Sequence, residues 1–188
     1  MIDLAWGDLR KNKFVTNVGL ITSKGPKGDN IMAAEWTYHV SYSPGRIAVL
    51  IGKNKITREN ILKTKEFGVN IAAEDQNIVA SIAGNYHGQD FDKISILKEL
   101  NFKFIEAKNI DVLMLDHGAL QAECKLIENI ELGSHILFLG EILELYPLSS
   151  DNPLIYTDKK YWKKSEQIEK PDEEYMRNIQ RLAEKHKR

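Results

Sequence analysis

The chain has 188 residues, a formal net charge of -1, 43% hydrophobic residues and 28% charged residues. This fits one globular domain with room for a terminal extension and argues against general disorder, and the near-neutral charge gives no electrostatic reason to expect nucleic acid, whose phosphates demand a basic patch. The single cysteine, Cys124, excludes an internal disulfide and a cysteine-rich metal site, and suits a reducing cytosol.

The N-terminal stretch MIDLAWGDLRKNKF lacks the apolar run of a signal peptide, and no run of about 20 apolar residues is present. A cytoplasmic protein without a membrane partner is therefore expected. Residues 14–21 (FVTNVGLI) are β-branched and aromatic and read as a strand. Ser23 to Asn30 (SKGPKGDN) is a turn cluster, which predicts a hairpin with a loop too long for a two-residue turn. IMAAEWTYHV follows. At period two, Met32, Ala34, Trp36, Tyr38 and Val40 form an apolar face, and Ala33, Glu35, Thr37 and His39 a small or polar one.

Ser43-Pro44-Gly45 breaks the chain, and Ile47 to Gly52 is a continuous apolar run, as for a strand covered on both sides. Thr57 is the expected N-cap of a short helix carrying Ile61 and Leu62. Phe67 to Ala72 is another strand. Glu74 to Ala83 places Ile78, Val79, Ile82 and Ala83 on one helical face. The polar loop GNYHGQDFDK leads into a small helix around Ile94 to Leu100.

Leu120, Ala122, Cys124, Leu126 and Ile130 point one way along a strand, with Gln121, Glu123, Lys125 and Asn129 opposite. Glu131-Leu132-Gly133 turns the chain into GSHILFLGEIL, where His135 opens a strand apolar on both faces and so expected to be covered on both. Beyond Lys163 the chain is highly charged. After Pro171, Asp172, Glu173 and Glu174 precede Tyr175, Met176, Ile179 and Leu182 at helical spacing, and KHKR closes it. Acid first and base last match the helix dipole. This tail is expected to be a surface helix packed on its own subunit; wrapping a partner subunit is the alternative. The domain division expected is 1–162 and a helical extension, 163–188. A mainly β chain with short helices between strands points to a small β-barrel.

Several chemistries fail. There is no G-x-G-x-x-G after a strand and no G-x-x-x-x-G-K-[ST] loop. His39, His87, His117, His135 and His186 show no zinc spacing. Asp116-His117 lacks a nucleophile motif and reads as a turn. Anion-binding features remain. Lys53 and Lys55 stand just before the helix capped by Thr57, where free N–H groups and the helix dipole favour phosphate; a solvated basic turn is the plainer reading. Lys93 beside Asp92 is by itself a loop with a charge pair. His135 by itself is a histidine capping a strand.

N-I-M-A-A-E-W at 30–36, S-P-G at 43–45, I-A-V-L-I-G at 47–52, T-R-E-N-I at 57–61, F-G-V-N at 67–70, D-F-D-K at 90–93 and G-S-H-I-L-F-L-G-E-I at 133–142 resemble, in this order, the flavin reductase-like family, and its flavoredoxin-like branch in particular. The resemblance covers roughly residues 10 to 162. It implies an antiparallel FMN-binding split barrel, usually a homodimer with FMN near the subunit interface. It also implies site residues: Ala33, Ala34, Glu35 and Trp36 along the flavin, partly through backbone; Thr57 at the phosphate or ribityl chain, with Lys53 and Lys55 as helpers; Lys93 as a further positive charge. His135 would reach the flavin, and an aromatic of the Tyr161-Trp162 pair, taken as Trp162, would lie on the ring. No side chain is assigned as nucleophile, because the cofactor carries the chemistry.

The chain departs from the pattern at Glu35, where Ser or Thr is frequent, and at Ser134, where Asp is frequent. A carboxylate beside the ring is expected to disfavour an anionic reduced flavin and lower its potential. Three functions follow from the resemblance: an NAD(P)H-dependent flavin reductase passing electrons to a flavin or other acceptor, an FMN-binding electron carrier served by a protein donor, or a barrel without flavin that binds partners.

Overall fold

The structure is a computed structural model that describes residue 4 and residues 8–185, without the side chain of residue 185. Residues 1–3, 5–7 and 186–188 lie outside the described residues, and with them His186, most of the closing KHKR and most of the N-terminal stretch.

A short 3-10 helix, Leu9–Lys13, leads into β1 (Thr16–Asn17), β2 (Gly19–Gly25), β3 (Gly28–Ala34), β4 (Thr37–Tyr42) and β5 (Gly45–Gly52). Then come α1 (Ile56–Thr64), β6 (Glu66–Ile71), α2 (Asn77–Asn85), α3 (Lys93–Glu99), β7 (Phe104–Glu106) and β8 (Leu113–Leu115). The chain continues with β9 (Leu120–Leu132), β10 (His135–Leu145), β11 (Ile155–Thr157), β12 (Lys160–Trp162) and α4 (Glu173–Lys185).

Seven strands form one antiparallel sheet in the order β3-β2-β6-β9-β10-β5-β4. Its two outermost strands, β3 and β4, are consecutive in the chain and separated only by Glu35 and Trp36. A sheet whose opposite edges are joined by two residues must curl until those edges meet, so the topology is a split barrel. The Leu50 amide donates to the Trp36 carbonyl at 3.0 Å and stitches the junction.

Two apolar cores result. Inside the barrel, Ile21, Val49, Ile51, Phe67, Val69, Ile136 and Phe138 pack together. Gly140 is required there, because a Cβ would stand 2.4 Å from Phe67 Cζ and 2.9 Å from Cys124 Cβ. Outside it, Leu20, Ile31 and Leu115 pack on Val79, Ala80 and Ala83 of α2 and on Leu97 of α3.

Several sequence expectations change. The first hairpin has a two-residue turn, since Gly25 pairs with Gly28 around Pro26-Lys27; the turn-forming residues continue into the strands, and Gly28 takes the positive φ of 94° that closes it. The strand expected across 31–40 breaks at Glu35-Trp36, and the inward face changes with the break: Thr37 is 1% exposed, whereas Tyr38 and Val40 face outward. The α2 helix begins at Asn77 rather than Glu74, and Ile78 is half exposed instead of sharing the buried face.

Glu123 was expected to face outward but is fully buried. Its carboxylate accepts the Lys108 and Asn109 amides at 2.7 Å each and the Tyr146 hydroxyl at 2.8 Å, pinning the 107–112 turn. The β10 strand is covered on one face only: Ile136, Phe138 and Gly140 are buried, but the His135-Leu137-Leu139 face is half-buried and Leu143 and Leu145 are exposed.

The tail is helical as expected, with Asp172 accepting the Tyr175 amide at 2.8 Å as its cap. Among the described residues its apolar stripe is not buried, while the segment before the helix bonds to the main domain, the Lys164 amide donating to the Glu74 carboxylate at 3.2 Å. Every described side chain from 163 on is exposed, Tyr175, Met176, Ile179 and Leu182 included.

Candidate functional site

Four pieces of chain meet around a small, partly open cleft: β3, the start of α1, the end of α2 with the loop after it, and the start of α3. Lys55, Thr57, His87 and Lys93 are among its lining residues. Lys93 is 3% exposed, and its ammonium donates to the Ala83 carbonyl at 3.3 Å. Burial pushes its pKa down to about 8, and the nearby Lys55 pushes the same way. A buried ammonium whose only hydrogen-bond partner is one carbonyl lacks the neutralising charge it needs, and a pocket edge is where an anion can supply it.

Asp92 is not that counter-ion. It caps α3, accepting the Ser95 amide at 3.0 Å and the Ser95 hydroxyl at 2.7 Å, so the expected Asp92-Lys93 charge pair is replaced by a capping bond.

The helix beside Lys93 starts two residues earlier than expected. Lys55, in extended conformation, is the N-cap of α1, and it makes no side-chain cap bond. Thr57 is not the cap because it is buried within the first turn, where its hydroxyl accepts from Asn30 Nδ2 at 2.9 Å. That bond leaves the Thr57 O–H proton for an acceptor in the pocket. Gly88 closes the far wall so tightly that a Cβ would lie 2.2 Å from Asn30 Oδ1.

A second cluster lies at the β3–β4 junction. The Trp36 and His135 rings stand 4.8 Å apart at 55°, and His135 Nδ1 is 2.8 Å from the Ser134 hydroxyl. Burial lowers the His135 pKa, opposed by Glu35 and helped by Lys11 and Lys55. The imidazole is therefore neutral at pH 7 and presents one donor and one acceptor. Glu35 pairs with Lys11 of the 3-10 helix at 3.6 Å. Tyr156 joins this side; burial and then the Glu35 charge raise its phenol pKa. Lys55 links the two clusters, since its charge acts on both His135 and Lys93.

The remaining sequence candidates sit as follows. Ala33 is half-buried against α2, 3.5 Å from where a Cβ on Gly84 would lie. Ala34 is 4% exposed in the barrel core, and its carbonyl accepts the Thr37 hydroxyl at 3.1 Å. The side chains of this stretch left partly exposed next to the junction are therefore those of Glu35 and Trp36. Lys53 is outside the pocket, exposed and ion-paired with Glu131 at 3.3 Å. Trp162 is held on its own hairpin, its indole N–H donating to the Thr157 carbonyl at 3.2 Å. Its neighbour Tyr161 turns toward the site instead, 5.5 Å from the Tyr156 ring, with its hydroxyl accepting from Ser81 at 3.4 Å.

Sequence reasoning missed His87, Asn54, Asn30 and Lys11. The first lay inside a loop already marked by its glycines, and only tertiary placement singles it out. His117 forms a surface clamp with Asp75 at 3.2 Å and Asp151 at 3.4 Å, away from both clusters. Burial pushes the Cys124 thiol up to about 12, so it is inert. Among the described residues no helix is long and apolar enough to cross a membrane.

The fold is shared with solved structures. The Streptomyces globisporus C-1027 NADH:FAD oxidoreductase SgcE6 superposes with a TM-score of 0.77 at 18% identity, over 88% of this chain and 98% of that one. The flavoredoxin of Desulfovibrio vulgaris (Miyazaki F) gives 0.73 at 24% identity, over 90% and 96%. A high molecular weight rubredoxin from Moorella thermoacetica is 27% identical over 142 residues, 73% of this chain and 58% of that protein. The alignments to the first curated relatives span 67%, 63% and 58% of those proteins' own lengths. The flavin reductase like domain model matches residues 10–165, the barrel with both clusters. By that match, over most of its length, the chain belongs to the flavin reductase-like family.

Proposed function

We propose that this protein is an FMN-dependent oxidoreductase of the flavin reductase type. The observation that carries the reading is Lys93, a buried ammonium on the wall of a pocket that also holds Lys55 and the Thr57 hydroxyl. Such a pocket fits the terminal phosphate of a mononucleotide. From there a ribityl chain would extend toward the β3–β4 junction, where backbone at Ala33 and Ala34, the Glu35 and Trp36 side chains, His135 and the Tyr156-Tyr161 pair would hold the ring. Bound FMN supplies two-electron chemistry that no side chain here offers. The chain's own residues bind and orient. Lys55, Thr57 and Lys93 fix the phosphate, Trp36 and His135 shape one side of the ring site, and Glu35 with Lys11 sets the local charge.

Part of the outer barrel surface is apolar and uncovered within one chain. In register, Leu50, Leu137 and Ile130 form one row and His135 and Leu132 the next, with Tyr38 and Leu139 beyond. The His135 side of the site is continuous with this surface, which supports a homodimer that closes the site. The 163–188 extension is then an appendage to the barrel, and a cytosolic location fits the reduced, buried Cys124.

NAD(P)H is the donor in this reading. Anaerobic titration of the FMN-loaded protein with NADH and with NADPH tests it: bleaching of the flavin band within the dead time of manual mixing is expected for one of them. A second reading, an electron carrier served by a protein donor, is favoured by the rubredoxin name of the Moorella relative. A chain with one cysteine cannot itself hold a four-thiolate iron, so such a donor would be a separate protein. A band that persists with both nicotinamides but bleaches with a reduced iron–sulfur protein selects this alternative.

A further inference from the structure

Resting on the FMN reading, we propose that the pocket takes up a proton together with its ligand: Lys93 must be charged to hold the phosphate, and no carboxylate among the described pocket residues supports that charge, so cofactor affinity falls as pH rises through the mildly alkaline range.

The surroundings of Lys93 carry the argument. The α2 helix that packs on it has no charged residue between Asn77 and Asn85 and offers only the Ala83 carbonyl. The start of α1 offers Lys55, another cation, and neutral Asn54 and Thr57. The β3 strand offers Met32 and, through the Asn30–Thr57 bond, a neutral amide. The loop after α2 brings Tyr86, His87 and Gln89. Its acids stay out: Asp90 is exposed and Asp92 is bonded to Ser95. Every charged neighbour is therefore positive, and the ammonium pays its desolvation with one carbonyl bond in return.

The lowered pKa, about 8, follows from this arrangement. A phosphate dianion in the pocket reverses the balance and returns the pKa toward the ordinary lysine range. By linkage, binding above neutrality then draws a proton from solution. The phosphate second ionisation lies near pH 6, so between pH 7 and 9 the ligand itself is a constant dianion. Riboflavin, with the same ring and ribityl chain but no phosphate, serves as the internal control.

The experiment measures FMN and riboflavin affinity of the apoprotein by fluorescence quenching from pH 7 to 9. The FMN-to-riboflavin affinity ratio is expected to fall about tenfold across that range. In Lys93→Arg, whose guanidinium stays charged, the ratio is expected to stay flat. Calorimetry of the unmodified protein at pH 8.5, in buffers of different ionisation enthalpy, is expected to show uptake of roughly three-quarters of a proton per FMN. FMN binding with a flat ratio and no proton uptake overturns this inference while leaving the FMN reading intact. Absence of FMN binding at every pH overturns both.

Discussion

Lys93 carries two opposed effects at once. Its charge is an asset to an anionic ligand and a cost to the empty fold. Because its folded pKa, about 8, lies below the ordinary lysine range, the unfolded chain binds more protons between those two values. Apoprotein stability from this group therefore rises with pH through about 8 and above, and the cost is greatest below 8. Replacing it with an apolar side chain removes that cost, on the order of 2–3 kcal/mol at pH 7. Lys93→Met is expected to raise the apoprotein's thermal midpoint at pH 7, by an amount that shrinks toward pH 10, while weakening FMN binding. A lowered midpoint at pH 7 contradicts this.

At Glu35 the charge beside the ring site is shared with Lys11 at 3.6 Å. Glu35→Gln removes the carboxylate, which favours an anionic reduced flavin. The midpoint potential of bound FMN is expected to rise; an unchanged value counts against a role for Glu35 at the ring. The presence of lysines, a threonine and a histidine at these positions was legible in the sequence. Which of them converge was not. Lys53 and Lys55 are two residues apart, yet one pairs with Glu131 in solvent and the other enters the pocket. Trp162 and Tyr161 are adjacent, but strand alternation sends only one toward the site.

At the scale of elements, the barrel depends on close approach between strands. Gly140 of β10 faces Phe67 of β6 and Cys124 of β9, all in the barrel core. Gly140→Ala forces the Phe67 ring to move within a filled interior and is expected to cost about 1–3 kcal/mol. Urea unfolding checks it, and a wild-type midpoint contradicts the packing described. The main strands and the helices α1 to α4 were legible because their apolar periodicity is local, while the 3-10 helix Leu9–Lys13 was not. The bend at Glu35-Trp36 was not, since the alternation of IMAAEWTYHV runs through it unbroken and only barrel closure demands the change of face. The short pairs β7-β8 and β11-β12 gave no signal, as three residues are too few for a period to register. Glu123 alternates like a surface residue and is buried because a distant turn, 107–112, needs an acceptor for its amides.

For the whole molecule, one chain leaves two apolar surfaces uncovered: the row of Leu50, Leu137 and Ile130 beside His135, and the stripe of α4. The first borders the site, so in the proposed homodimer pairing of two copies through it would also complete the site. Ile130→Glu places a charge on that face of each copy, twice across a two-fold interface. Light scattering is expected to give a homodimer for the parent protein and a monomer with weakened FMN binding for the variant. A parent protein that is monomeric with FMN bound contradicts this arrangement. The family and its fold were readable from seven motifs in order; the uncovered surface was not, because the apolar runs of β5 and β10 look alike whether the second cover is a helix or another subunit.

The central claim is that a mononucleotide is held by its phosphate among Lys55, Thr57 and Lys93. Titration of the apoprotein at pH 7 with FMN, and in parallel with riboflavin, tests it most directly. Saturation is expected at one FMN per chain, with riboflavin bound at least about tenfold more weakly for want of charge-assisted hydrogen bonds. A protein that stays colourless with FMN, or that binds both flavins equally, contradicts the account.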